Sequence, residues 1–456
     1  MTLSQIFALA IFLVMFIVII IGKVHRMIPA LIGGALTLII VFLVIERNPD
    51  LVVQTFSFAQ LGQGHFWVPG KTMVAESSTG INWQTIIFIG GMMVMVEGLG
   101  AAGFFRWICL LVAKMVNYKV VPILVVFTIL SGFLSMFIDS ITVLLFLASI
   151  TVELARTLKF DPVPVIIAEI FAANTGGSAT MSGDPPNIII GTALGLSFMD
   201  FVVNTGFIAW VGMVVCVLFF YFAFRKTLLA SHQSAAKEVP EKYPQPKEAI
   251  KNRLLFYLVT AIFVLVIALL VTHAQTGISV ALIGVIAAAL TVITLARQFK
   301  HVMKGVDWRT LLFFIGLFIT VAGLEQTGIL KALAEYIGKV SGGQLSLVIA
   351  IILWVSAFAS AIIDNIPFAA TMVPVIRNLA GAMGASTLHP LAWTLALGTD
   401  IGGNATPIGA SANVVGTAIA DREGYPISWG RFCKYCVPSM ILVVAICNIL
   451  LYIRYV

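Results

Sequence analysis

Long apolar runs separated by short polar loops dominate this chain of 456 residues. Because an α-helix needs about 20 apolar residues to cross the hydrocarbon core of a bilayer, runs of that length predict membrane-spanning helices. Charge-free runs of this kind occupy residues 4–22, 27–45, 206–224, 254–272, 274–296 and 435–453. Two further runs, 83–105 with Glu97 inside it and 310–324 extended by its flanks, predict spans as well. The pattern therefore predicts an all-α integral membrane protein.

Four other apolar segments are interrupted in the middle and do not predict plain spans. Residues 120–158 and 345–379 each contain an aspartate near the centre, and residues 164–196 and 391–420 contain glycine-rich polar stretches. Backbone that leaves the helix at membrane depth must find its hydrogen bonds inside the protein or in a cavity. We therefore predict two re-entrant hairpins and two broken helices, in a fold of about ten spans plus the hairpins.

Composition and charge narrow the class of protein. Hydrophobic residues make up 60% of the chain and charged residues 10%, whereas about a quarter of a typical soluble domain is charged. This excludes a soluble globule, a secreted disulfide scaffold and a nucleic-acid-binding domain. We expect a multi-pass protein of the cytoplasmic (inner) membrane, in contact with the lipid bilayer and with no nucleic-acid partner.

The net charge of +7 comes from basic residues that lie in the loops. Cytoplasmic loops of membrane proteins are rich in Lys and Arg. The basic clusters fall at residues 23–26, 106–119, 225–253, 297–309 and 422–434. Placing all five in the cytoplasm puts both termini outside and makes residues 46–82 an external loop. The first apolar run is then an uncleaved helix and not a signal peptide, since no basic segment precedes it.

The second half of the chain repeats the first. Trp83 matches Trp308 and Asp139 matches Asp364, both 225 residues apart, and the GGSAT motif from Gly176 matches a GGNAT motif 226 residues later. By the charge pattern the two copies start on opposite sides of the membrane and form an inverted repeat. Inverted repeats with broken helices are typical of secondary transporters, which we expect here in preference to a channel or a membrane enzyme.

The repeat divides the chain into five predicted parts. They are N-terminal scaffold helices and the external loop (1–80), inverted repeat 1 (81–225), a cytoplasmic linker (226–253), further scaffold helices (254–305) and inverted repeat 2 (306–456).

The breaks carry the groups predicted to bind a solute. A broken helix exposes backbone amides at the start of one half and carbonyls at the end of the other, and these attract anionic or oxygen-rich ligands and cations respectively. Glycines allow close approach of a ligand to the backbone. The predicted substrate-binding residues are Asn174, Gly177, Thr180, Asn187, Gly403, Asn404, Thr406, Asn413 and Asn365. Asn187 and Asn413 are also placed to cap the second half-helices.

Carboxylates at predicted membrane depth are the candidates for ion coupling. They are Asp139, Asp364, Asp184 and Asp400. Such a group is costly unless it is paired or hydrated, and four near one point cannot all stay ionised without a cation or a proton. Because Asn174 stands where the repeat places Asp400, and Ala410 where it places Asp184, the charge is asymmetric. We predict a proton- or cation-coupled site in which at least one aspartate titrates; capping of a helix is the alternative role, above all for Asp184.

The five cysteines do not predict a disulfide framework, because their number is odd and they lie in or near apolar segments. Cys433 and Cys436 form a Cys-x-x-Cys pair without a second pair nearby. We assign no metal site, cofactor or catalytic residue to the chain.

Three motifs together resemble the ArsB/NhaD branch of the ion transporter superfamily. They are SGDPPNIIIG at residues 182–191, IDNIPFAATMVPV at residues 363–375 and GGNATPIGASANVV at residues 402–415. The resemblance covers nearly the whole chain and is strongest to ArsB-type arsenite permeases related to the melanosomal P protein. It implies an elevator mechanism, a homodimer, and arsenite and antimonite as solutes exported against protons. For the NhaD-like relatives it implies sodium exchanged for protons.

Several functions stay open at this point. The first hypothesis is a proton-coupled arsenite/antimonite efflux antiporter, and the second is a sodium/proton antiporter that uses the same carboxylates. A third is an organic-anion or dicarboxylate symporter; relatives of that kind carry Ser-Asn-Thr at the hairpin tips, where this chain has Asp139 and Asp364. A channel subunit is a fourth. No phosphate-binding Gly-x-x-x-x-Gly-Lys loop is present, so ATP would have to act through a separate ATPase partner.

Overall fold

The computed structural model describes residues 1–70, 80–235 and 243–456, without the side chains of residues 231–235. The middle of the predicted external loop, and Lys237 and Lys242 of the predicted linker, lie outside the described residues. Within the described ranges the chain forms helices and no strands, which confirms the all-α prediction.

In the first half of the chain the α-helices are α1 (Leu3–Ile21), α2 (Met27–Leu36), α3 (Pro49–Phe56), α4 (Gly64–Trp67), α5 (Trp83–Ala102), α6 (Phe104–Met115), α7 (Val120–Ser135), α8 (Ser140–Leu158), α9 (Val163–Gly177), α10 (Pro185–Leu194), α11 (Phe198–Phe201) and α12 (Phe207–Ala235). In the second half they are α13 (Arg253–Thr276), α14 (Val280–Thr294), α15 (Phe299–Gly305), α16 (Trp308–Gln326), α17 (Ile329–Val340), α18 (Leu345–Ser360), α19 (Asn365–Met383), α20 (Leu388–Gly402), α21 (Ser411–Arg422) and α22 (Trp429–Tyr455). Two π-helical segments, Thr37–Ile45 and Val202–Gly206, continue α2 and precede α12. The 3₁₀ turns are Phe58–Gly62, Pro246–Ala249, Ala296–Gln298, Ala385–Thr387 and Gly403–Ala405.

The number of membrane-crossing helices agrees with the hydrophobic pattern. Within the described ranges nine helices are long and apolar enough to span a bilayer, and a tenth is obtained if α14 is joined to the segment Ala296–Gly305 across a bend of 89°. Two boundaries differ from the prediction. Residues 274–276 belong to α13, which ends at Gly277 in the left-handed conformation (φ 69°), and Ser279 then caps α14. The predicted span 206–224 is part of a longer helix that continues to Ala235.

Matching positions of the repeat begin matching helices. The Asn82 side chain accepts a hydrogen bond from the Thr85 amide (2.9 Å) at the start of α5. The Asp307 side chain accepts one from the Thr310 amide (3.1 Å) at the start of α16. Side chains of this type stabilise a helix by satisfying one of its free N-terminal amides.

The two predicted hairpins and the two predicted breaks are present in the structure. Helices α7 and α8 meet at Asp139, and α18 and α19 meet at Asp364. The first break separates α9 from α10 and the second separates α20 from α21. Helix α7 packs along α9 and α18 packs along α20, whereas α2 packs along α16 and α14 along α5. Each hairpin is thus attached to the broken helix of its own repeat, and the breaks lie in the buried interior.

Candidate functional site

Two buried asparagines hold the breaks together. The Asn187 side-chain amide donates to the carbonyls of Gly177 and Thr180, both at 3.0 Å. The Asn413 amide donates in the same way to the carbonyls of Gly403 and Thr406, both at 2.7 Å. Each amide therefore satisfies carbonyls that the broken helix leaves free. The two asparagines act as clamps of the breaks, and neither caps the following half-helix with its side chain.

Each break is attached to the hairpin of its own repeat by one threonine. The Thr180 hydroxyl donates to the Met136 carbonyl, and the Thr406 hydroxyl donates to the Ala361 carbonyl at 2.5 Å. These partners occupy matching positions of the repeat. Both predicted substrate-binding threonines thus have an intramolecular partner for their proton.

Asn174 links the two repeats across the interior. Its amide donates to the side-chain oxygens of Asn404 (2.9 Å) and Asn413 (2.8 Å). All three side chains are fully buried. Residues 230 and 239 positions away along the chain therefore meet at one point.

Asp184 joins the tips of both hairpins. One of its carboxyl oxygens accepts from the Ser140 hydroxyl at 2.6 Å, and the other accepts from the Asn365 amide at 2.7 Å. Ser140 begins α8 and Asn365 begins α19. Asp184 itself stands at the start of α10 without capping it through its side chain. The capping alternative for Asp184 is therefore not what the geometry shows.

Asp400 is a second buried carboxyl beside Asp184. It is fully buried at the end of α20, and neither of its oxygens has a partner of acceptable geometry, although the carboxyl of Asp184 and the amide of Asn187 lie beside it. Two carboxylates side by side in a buried site repel one another strongly. The Asp184–Asp400 pair therefore needs a shared proton or a bound cation.

The carboxyl pair occupies one of two places that the repeat makes equivalent. The second place holds Asn174 and Ala410 in the matching positions. The carboxyls of this pair are therefore present at one of the two places that the repeat relates.

Asp139 and Asp364 lie near the pair but have partners of their own. The two oxygens of Asp139 accept from the amide (3.0 Å) and the hydroxyl (2.7 Å) of Thr142, so that Asp139 caps α8. Both aspartates are close enough for their charges to act on Asp184. A coupling role for Asp139 stays a prediction, since its observed contacts are those of a helix cap.

Arg26 is the functional candidate that the sequence pattern missed. Its guanidinium donates to Asp364 (2.5 Å), to the Ser411 hydroxyl (2.6 Å) and to the Thr310 hydroxyl (3.0 Å). In the sequence it counts only as one of two basic residues in a short loop. No spacing or motif connects Arg26 to Asp364, because the contact joins residues 338 positions apart.

The Cys433–Cys436 pair lies on α22 as two free thiols, with Cys436 buried and Cys433 partly exposed. Within the described ranges no group of three His, Cys, Asp or Glu side chains is arranged to hold a metal ion.

Replacement of both cysteines (Cys433→Ser together with Cys436→Ser) is expected to leave the transport rate within about twofold of that of the unmodified protein. Each substitution replaces a single sulfur atom by oxygen, which has a small effect on packing. The measurement is solute uptake in proteoliposomes at matched protein density. A complete loss of transport would assign the pair a role in solute binding.

The known proteins that this chain resembles in sequence or in fold include several membrane transporters. A family model described as CitMHS, citrate transporter, matches residues 16–398. An uncharacterized transporter of Mycobacterium bovis is 37% identical over 83% of this chain and 87% of its own length. The P protein of Sus scrofa is 29% identical over 84% of this chain, which spans about half (54%) of that protein. The YdaH transporter of Alcanivorax borkumensis has a similar fold, with a TM-score of 0.57 at 14% identity over 90% of this chain and 89% of the other.

Proposed function

Because this chain belongs to the CitMHS family of membrane transporters, we propose that it is a proton-coupled secondary transporter that exports arsenite and antimonite. The resemblance to the ArsB/NhaD branch is confirmed by the family model and by the P protein. The protein is a multi-pass membrane transporter and not an enzyme. The solute, the coupling ion and the mechanism are the proposed part.

The observation that carries the coupling is the Asp184–Asp400 pair. It lies where the two repeats meet, and Asp184 is bonded to both hairpin tips. A proton that enters or leaves the pair changes the charge at the point where four segments converge. Protonation and the arrangement of the hairpins are thereby linked, as a coupled transporter requires.

A cavity lies beside the Asp184–Asp400 pair, and the charged side chains in its wall favour an uncharged solute. Arg26, a cationic side chain that lines this cavity, is already paired with Asp364. Arsenous and antimonous acid are neutral at pH 7 and carry several hydroxyl groups. A multivalent organic anion would instead meet the carboxylates of Asp307 and Asp364 with the paired Arg26 as its counter-charge, which disfavours the symport hypothesis.

Sodium/proton exchange is the second candidate function. The carboxylate oxygens of Asp184 and Asp400 are ligands of the kind that hard cations prefer. In that case sodium would take the place of the shared proton.

We further propose an elevator movement in a homodimer. The hairpins and broken helices, α7–α10 and α18–α21, would move against a scaffold that includes α1, α2, α13 and α14. The packing of each hairpin on its own broken helix, and of α2 and α14 on α16 and α5, supports this division. A separate ATPase partner remains compatible with this proposal.

The function is tested in proteoliposomes with an imposed proton gradient and a pH-sensitive dye. Arsenite or antimonite is added to one set, sodium or lithium to a second and citrate to a third. Dissipation of the gradient by the metalloids alone is the expected result. A response to sodium or lithium alone would replace the proposal with sodium/proton exchange, and a response to citrate alone would replace it with anion transport.

A further inference from the structure

A large cavity adjoins the carboxyl site without containing the Asp184–Asp400 pair. Its volume is about 500 Å³, and its walls come from the α1–α2 loop, the start of α16, the tips of both hairpins and α21. The α1–α2 loop and the start of α16 belong to the end of the molecule that the charge pattern assigns to the cytoplasm. Most of the wall is apolar, with side chains such as Ile141, Ile362 and Val414.

The polar groups of this cavity are Arg26, Asp364 and Ser411, which meet at one corner, together with Asp307 and His25 elsewhere in its wall. One guanidinium nitrogen of Arg26 donates to both Asp364 and Ser411, and the other donates to Thr310. The Ser411 hydroxyl also lies 3.1 Å from the Asp364 carboxylate. The side chains of Arg26 and Asp364 retain 17% and 13% of their exposure, so that both face the cavity while they bind each other.

The chemistry of this corner selects one class of ligand. A guanidinium only donates hydrogen bonds, an ionised carboxylate only accepts them, and a hydroxyl does both. An anion would be repelled by Asp364 and Asp307, and a cation would be repelled by Arg26. A small uncharged molecule with several hydroxyl groups can accept from Arg26 and donate to Asp364 at the same time.

We propose that the Arg26–Asp364–Ser411 corner is the solute-binding site, and that it takes a small neutral polyhydroxyl solute such as arsenous or antimonous acid. This rests on the proposed function, and it assigns Asp364 to the solute and the Asp184–Asp400 pair to the proton. Arg26 lies in the loop between α1 and α2, and Asp364 lies at a hairpin tip. A solute that takes over their hydrogen bonds replaces the direct contact between the loop and the hairpin, and so binding releases the hairpin for movement.

The test is equilibrium binding of arsenite and of antimonite to the purified full-length protein in detergent at pH 7. All variants carry Cys433→Ser and Cys436→Ser, so that binding of the metalloid to this thiol pair does not contribute. Arg26→Gln and Ser411→Ala are expected to weaken binding, Arg26→Gln by about tenfold or more, because hydrogen bonds to a charged group are lost. Val414→Trp, which places a large side chain in the wall of the cavity, is expected to weaken binding as well.

Arg431→Gln is the matched control, since Arg431 pairs with Asp161 on the surface at 2.7 Å, and its binding is expected to stay unchanged. If the Cys433→Ser, Cys436→Ser protein binds and transports the metalloid while the same protein with Arg26→Gln, Ser411→Ala or Val414→Trp binds within twofold of it, the site is wrong and the proposed function stands. If the unmodified protein neither binds nor transports the metalloid, the proposed function fails and this inference fails with it.

Discussion

Proton-coupled transport is expected to fall to background, a loss of roughly a hundredfold or more, in Asp400→Asn, because the change removes the titrating group from a buried pair. The substitution is nearly isosteric. The Asp400 carboxyl lies beside the carboxyl of Asp184 and the amide of Asn187, and an amide of the same shape keeps the packing of the site while it removes the titrating group. The measurement is the rate of pH-dye recovery in proteoliposomes, with thermal unfolding in detergent to verify that the variant is folded.

Two further variants test whether transport depends on the position of the carboxyl at residue 400 or only on the number of carboxyls in the site. Asp400→Asn combined with Asn174→Asp restores the number but moves one carboxyl to the equivalent place beside Ala410, and we expect it to stay inactive. Asp161→Asn changes a partly exposed aspartate that pairs with Arg431, and we expect normal transport. Full activity of Asp400→Asn would show that the proton is carried elsewhere.

Gly176→Ala is expected to destabilise the protein by about 3 kcal/mol or to prevent its accumulation, as overpacking of a buried contact does. Gly176 lies near the end of α9, where the helix meets Gly132 of α7. A Cβ atom at this position would lie 2.1 Å from the Gly132 carbonyl oxygen, and backbone cannot rotate out of the way as a side chain can. The measurement is the midpoint of thermal unfolding together with the yield of monodisperse protein.

Two other glycine-to-alanine substitutions serve as comparisons for Gly176→Ala: one at the matching position of the second repeat and one on α19. Gly402→Ala should behave alike, since its Cβ atom would lie 2.3 Å from the Ala357 backbone at the matching crossing of α20 with α18. Gly381→Ala, on an exposed face of α19 with no atom within 4 Å of the added Cβ, should be neutral or slightly stabilising, because alanine favours a helix over glycine by about 1 kcal/mol. Equal unfolding temperatures for Gly176→Ala and Gly381→Ala would contradict the packing argument.

The largest difference between the sequence-based expectation and the structure concerns the contacts of the predicted binding residues. Asn187, Asn413, Thr180 and Thr406 are all at the breaks, as predicted, but their donor groups are used within the protein. In one sequence a polar side chain at a break is equally compatible with a ligand and with a backbone carbonyl. The choice between the two depends on distances of a few ångströms, which the sequence does not contain.

What the sequence determined by itself is the long apolar helices, the two hairpins, the two breaks and their relation by a repeat. These follow from local hydrophobicity, from glycine, proline and aspartate within apolar runs, and from the match of residues 225 or 226 positions apart. Only the tertiary structure decided which aspartates meet. It joined Asp184 to Asp400 and gave Asp364 to Arg26, because those contacts depend on how the two repeats and the α1–α2 loop pack against one another and not on any spacing along the chain.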